Sequence, residues 1–226
     1  MPSKLMLTCA AIATALISSS AFASVVVVRS LGPSAKAYPP GKTLPEDAKI
    51  TLQGGDVVTL IGPSTAKTLR GPGTFEARQV ALTSAAGQRG RFGALRSGEI
   101  ARNPSIWDVD ATQSGKICVT DAKKLQLWHP QSQRAATVQI KSVDGKSQAL
   151  AWAAGKSLTS WPAALPVKSG AEYELQWPDS ADNGKVDFVL VSAPPTDLAA
   201  TAQVLIENGC QNQLDLLVSS ASKGNK

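Results

Sequence analysis

Apolar residues along this chain recur mostly at every second position, in short runs broken by Gly, Pro, Asn and Asp. Residues 25–30 form a β-branched run that predicts a first strand. Within 41–75, three further runs, 48–52, 56–60 and 65–69, are separated by Gly54 and Gly55, by Gly62 and Pro63, and by Gly71, Pro72 and Gly73. Short alternating runs spaced by roughly 8–12 residues with turn residues between them predict a small all-β unit. None of these strands is stable alone, so they must pair and bury a face. Val57, Thr59 and Ile61 share one side of their strand, and Val58 and Leu60 share the other. Both sides are apolar, which predicts that this strand is covered on both.

The pattern changes at residue 79. Residues 79–102 open with a possible short helix and continue as a Gly-rich stretch carrying Arg89, Arg91, Arg96 and Arg102 against Glu99. Glycine loses more backbone freedom on ordering than other residues, so this stretch reads as a connector. Alternation returns in runs 116–120, 125–128, 136–140, 148–152, 173–177 and 186–191, with turns such as Val143-Asp144-Gly145-Lys146 between them. Six or seven such strands predict an immunoglobulin-like β-sandwich-type domain. Helix enters last. Thr196 reads as an N-cap with Asp197 in the first turn, Leu198, Ala202 and Leu205 repeat at helical spacing, and Gly209 is a stop. A second short helix is predicted over 211–218. The expected organisation is therefore mainly β: a small β domain over 24–78, a Gly/Arg-rich linker over 79–103, a sandwich-like domain with C-terminal helices over 104–219, and a polar tail over 220–226.

One stretch carries a family likeness. Gly41-Lys42-Thr43-Leu44, the run 48–52, the Gly55-Asp56 turn and the alternating run 57–60 follow a Gly-x-x-Leu, strand, Gly-Asp turn, strand pattern. In this the segment resembles the periplasmic FecR-type domain. The resemblance covers roughly a third of the chain. It implies a FecR-like β domain serving as an envelope sensor or interaction module. In that family it also implies sensing of an outer-membrane partner and control of a sigma factor. It implies no chemistry and no cofactor.

The first 23 residues read as a secretory signal peptide. Lys4 is the basic residue, the apolar run 5–17 is shorter than the about 20 residues of a membrane span, and Ala21-Phe22-Ala23 is a cleavage site. The mature chain is expected to begin at Ser24 in the periplasm, with no later integral span. Cleavage removes Cys9 and leaves Cys118 and Cys210, an even pair that in an exported protein predicts a disulfide. Such a bond closes a 92-residue loop, worth roughly 4–5 kcal/mol in the chain-entropy picture. Charge is uneven: 24–102 holds eleven Lys and Arg against five Asp and Glu, whereas 103–226 holds eleven against twelve. A cationic exported module meets anionic polysaccharide, lipid headgroups or an acidic envelope protein. Nucleic acid is not an expected partner.

Candidate chemistry is sparse. His129 is the only histidine, and no nucleophile is positioned near it in the sequence, so it reads as a surface turn residue. One histidine and a paired cysteine couple leave no zinc set. Asp108, Asp110, Thr112 and Ser114 alternate like the start of a calcium loop, but Gln113 stands where Gly is needed and Val119 where a bidentate Glu is needed. A solvated connector explains them. Glu172 and Glu174 share a strand face, with Asp179 and Asp182 after them. Paired carboxylates serve glycoside hydrolysis, yet strands commonly place charge on their wet face. Trp128, Trp152 and Trp177 each end a predicted strand. A sandwich core is the commoner use of such rings, and an exposed row of them would be a ligand platform for sugar. Arg89, Arg91, Phe92 and Arg96 form a cationic stretch suited to docking on an anionic partner. The expectation is a non-enzymatic exported envelope protein that binds or scaffolds in the periplasm, accessory to signalling. The alternative is a carbohydrate module reading peptidoglycan or exopolysaccharide.

Overall fold

The computed structural model describes residues 24–81, 103–130, 133–177, 183–192, 195 and 197–223. The first part holds β1 (Ser24–Leu31), β2 (Thr43–Pro45), β3 (Lys49–Leu52), β4 (Val57–Ile61), β5 (Ala66–Arg70), β6 (Gly73–Glu76) and the single turn α1 (Arg78–Ala81). The second holds β7 (Val109–Asp110), β8 (Gly115–Val119), β9 (Gln126–Trp128), β10 (Ala136–Ser142), β11 (Ser147–Trp152), β12 (Leu158–Ser160), β13 (Glu172–Gln176) and β14 (Gly184–Leu190). The chain closes with α2 (Leu198–Glu207) and α3 (Gln211–Lys223). It is mainly β, as its alternation predicts.

In the first part a four-stranded sheet runs β2-β1-β4-β5, and β3 pairs with β6 as a separate ribbon. The four consecutive valines of β1 split between the sheet's two faces. Val25 and Val27 join Leu44, Ile50, Leu52, Val58, Leu60 and Leu69 under the ribbon and α1. Val26 and Val28 face the other way. Each fully buried valine of this kind contributes about 1.5–3 kcal/mol from its apolar area. The β1–β4 register shifts between Val27 and Arg29, a local bulge. Asp56 fixes the turns. Its carboxylate is 1% exposed and accepts hydrogen bonds from the backbone N–H groups of Ser34 and Gln53. Gly32 passes so close, at φ +101°, that a Cβ there would lie 2.5 Å from an Asp56 carboxylate oxygen. Gly71 makes a similar approach to the Gln53 carbonyl. Both positions exclude a side chain.

The second part is a β-sandwich. A five-stranded sheet, β11-β10-β13-β14-β8, packs on a three-stranded sheet, β12-β9-β7. β10–β11 and β13–β14 are antiparallel hairpins, while β14 and β8 run parallel. Between the sheets lie Leu127, Val138, Ile140, Trp152, Leu175 and Phe188 with their neighbours.

The helices depart from the sequence reading in three ways. The N-cap of α2 is Asp197 rather than Thr196: its extended backbone lets the carboxylate accept from Ala200 N–H at 2.8 Å. Gly209, at φ +70°, closes α2 as predicted. Helix α3 runs on through 220–223, where a tail was expected. Ala221 is buried there, and Ser219, Ser220 and Ser222 donate to carbonyls three or four residues back. Both helices, which the sequence attaches to the second domain, lie equally on the first. Ala199, Ala202, Leu205, Leu214 and Leu217 pack with Val26, Val28, Ile61 and Ala66 of the first sheet and with Cys118 of β8. The strand read as covered on both sides is covered on its second side by these helices. No helix among the described residues is long and apolar enough to cross a membrane.

Candidate functional site

A cleft with polar side chains on both walls lies at the junction of α3 with the sandwich. It measures ≈ 390 Å³ and opens between α3 and the β7–β8 corner. Its wall from the sandwich carries Asp108, Asp110, Gln113 and Trp128, and its wall from the helix carries Asn212, Gln213 and Asp215. A smaller apolar hollow adjoins it, sharing Asn103 and Leu216.

The local sequence sets these positions. Asp110 ends β7 and caps the following turn, accepting from Thr112 N–H at 3.0 Å, Thr112 Oγ1–H at 2.6 Å and Gln113 Nε2–H at 3.0 Å. That is an Asx turn, and it agrees with the connector reading of 108–115. Asp215, one helical turn after Gln211, accepts from Gln211 Nε2 at 3.0 Å and from Arg29 Nη2 of β1 at 2.7 Å. Asn212 Nδ2 donates to Ser114 O at 2.9 Å. Asp108 differs from the other two carboxylates. It is half-buried, its carboxylate has no hydrogen-bond partner among the described residues, and burial pushes that carboxyl above the usual range. Holding it ionised costs the folded state, and the positive end of a bound group would relieve that cost.

Gln213 forms the base of the cleft. It is 3% exposed. Its Oε1 accepts from Cys118 N–H at 2.7 Å, and its Nε2 donates to Cys118 O at 2.9 Å and to Ile106 O at 2.6 Å. The side-chain amide thus pairs with β8 as a neighbouring strand would. Beside it Cys118 is bonded to Cys210, with Cα atoms 5.9 Å apart, the pair that the sequence predicts. The helix–sandwich joint is held by one covalent bond and one buried amide. Sequence reasoning missed Gln213, since a glutamine among the apolar residues of a helix has many uses and only β8 gives it this one.

The other candidates are placed as follows. Trp128, Trp152 and Trp177 are 5%, 2% and 6% exposed. Trp152 and Trp177 contact each other at 5.6 Å between centroids, and their N–H groups bond to the carbonyls of Lys156 and Ala111. They are core residues with their donors satisfied, so the three rings form no exposed row; Trp128 alone reaches the cleft. His129 is not a surface turn residue. It is buried against Trp177 at 4.4 Å and Trp152 at 5.9 Å between ring centroids, next to Trp128 at the end of β9. Glu172 and Glu174 face solvent, with Glu174 3.9 Å from Lys185. Asp179, Asp182, Arg89, Arg91, Phe92 and Arg96 lie outside the described residues. Among the described residues no three His, Cys, Asp or Glu side chains converge as a metal set.

No protein-family model matches this chain, and no match is found for it among curated proteins or solved structures.

Proposed function

We propose that this protein is a non-enzymatic binding or scaffolding module of the bacterial envelope, exported to the periplasm, where it serves as an accessory to a signalling or envelope complex. The observation that carries this reading is the helix–sandwich joint. A disulfide and a buried amide fix α3 to the sandwich beside a polar cleft, and a common apolar core joins the first β unit to the same helices. A disulfide closing so long a loop fits an oxidising compartment. A braced cleft with an unpartnered carboxylate at Asp108 suits recognition of a partner better than turnover, for which no base and nucleophile are paired on its walls. The likeness of 41–60 to FecR-type domains supports an envelope setting. The partner would be an envelope protein that places a cationic or amide-rich segment against Asp108, Asn212 and Gln113.

The test is crosslinking in cells with tagged mature protein, followed by identification of what co-purifies from the envelope. A specific envelope protein, lost with Asp108→Ala, is the expected result. Cross-links spread over unrelated proteins and unchanged by that substitution would overturn the reading.

A second reading rests on Trp128, which meets Asp108, Asp110, Gln113 and Asn212 on the cleft wall. Carboxylates and amides beside an aromatic edge also suit a sugar. Retention on insoluble peptidoglycan or exopolysaccharide, with a change in tryptophan fluorescence, is expected under this alternative and absent under the first.

A further inference from the structure

A sheet edge exposes unpaired N–H and C=O groups, and proteins protect such edges with short strands, charge, proline or a covering element. Most edges here are protected. β2 is three residues long and ends in Pro45; β7 and β12 are two and three residues long. β3 and β6 carry Lys49 and Glu76. β5 carries Lys67 and Arg70 and packs against α3. β8 is covered by α3 and bonded by Gln213. β11 is the least protected of these edges: among the described residues, of its backbone groups only the Ala149 carbonyl is bonded by a side chain, the Gln148 amide at 3.1 Å. It is six residues long, Ser-Gln-Ala-Leu-Ala-Trp, with no charge and no proline. It pairs with β10 through six unbroken registers, and among the described residues no strand flanks its other side.

We propose that β11 is a self-association edge, on which a second copy of this chain adds its own β11 antiparallel, joining two five-stranded sheets into one. The strand's chemistry selects that occupant. An added strand must keep core-facing residues opposite core-facing residues. One two-fold register does so with Leu150 on the axis, facing the partner's Leu150. Ala149 then faces the partner's Ala151. Leu150 is only half-buried on the rim of the sandwich core, and the partner strand completes its cover. Ser147, Ala149 and Ala151, on the outer face, are exposed and small, so the strands approach without a clash. Charge agrees with the same register. Asp144 and Lys156 lie six residues to either side of Leu150, so at both ends the turn bearing Asp144, which is 3.7 Å from Lys146 of the same turn, comes opposite the turn bearing the partner's Lys156, and that Lys156 joins an existing ion pair. A single strand edge and its flanking turns make a small interface, so the dimer forms by a concentration-dependent equilibrium.

The experiment is sedimentation equilibrium of the full mature chain over a wide concentration range. Wild type is expected to pass reversibly from monomer to dimer. The double variant Ala149→Lys with Ala151→Lys places like charges directly opposite across the axis and is expected to weaken dimerisation about 10-fold or more. Both positions are exposed, so circular dichroism should show an unchanged fold. Mixing that variant with Ala149→Glu plus Ala151→Glu is expected to restore dimer, now mixed. A wild type that stays monomeric to its solubility limit would overturn the proposal, as would a dimer indifferent to both charge pairs. An edge filled instead by an extended segment of another protein would appear as a monomer here.

Discussion

Asp56 concentrates much of what the first β unit needs into one side chain. Burial pushes its carboxyl up, but the bonds donated by the Ser34 side chain and by the backbone N–H groups of Ser34 and Gln53 together outweigh that and hold it below the usual aspartate range. A folded value below the unfolded one means that ionised Asp56 stabilises the fold. That stabilisation is complete above about pH 4, the ordinary aspartate range, and is lost as pH falls through the depressed folded value. Asp56→Ala is therefore expected to lower the thermal midpoint at neutral pH, and to lose less than wild type on acidification. Equal acid sensitivity in the two proteins would show that other groups govern it. Gln213 is the matching residue at the joint. Gln213→Leu keeps the bulk but strands the N–H and C=O of Cys118 and the carbonyl of Ile106. A loss of about 2–3 kcal/mol is expected from the urea midpoint. A loss below about 0.5 kcal/mol, the level of an ordinary surface change, would mean that water replaces the amide.

Individual elements followed their local signals closely. The strands at β1, β4, β5, β8, β10, β11 and β14 fall where alternation and β-branched residues place them, because a residue's face in a strand is fixed by parity alone. The missed strands β2, β6, β7 and β12 are two to four residues long and exist only because a neighbour pairs with them. The far end of α3 was missed for a related reason: Ser220 and Ser222 read as tail until Ala221 is seen against the core. The element most dependent on a remote bond is the α2–α3 corner at Cys210. Replacing both Cys118 and Cys210 with Ala is expected to cost about 2–4 kcal/mol in unfolding free energy. Part of the loss is offset because apolar packing still holds the helices. Two free thiols in the oxidised wild type, by mass analysis, would contradict the bond.

Across the whole molecule, the shared core alters what a break in the chain should do. The sequence divides the protein at 79–103, whereas Val80 and Ala81 are buried in the first unit and Asn103 is buried in the second. The segment 82–102 joins them. Proteolysis is expected first between residues 87 and 102. The resulting fragments should nevertheless co-elute on gel filtration, since α2 and α3 bury Val26, Val28 and Ile61 of the other fragment. The disulfide lies wholly within the second fragment, so this association is non-covalent and should survive reduction while the helices stay folded. Fragments that separate without denaturant would show that the common core is too weak to join the units.

The sequence by itself determined the mainly β character, the turns, the two late helices and the pairing of two cysteines. These depend on parity, on residue-specific backbone preference and on an even count of thiols, all of them local or compositional. It also showed that β4 needed cover on both sides. Tertiary structure alone decided what supplies that cover, because the helices that meet β4 stand far along the chain and no local pattern encodes which apolar faces find each other. The same holds for the candidate site. Asp108, Asp110 and Trp128 were visible as residues, but their meeting with Gln213 and Asp215 in one cleft exists only because α3 returns across the sandwich.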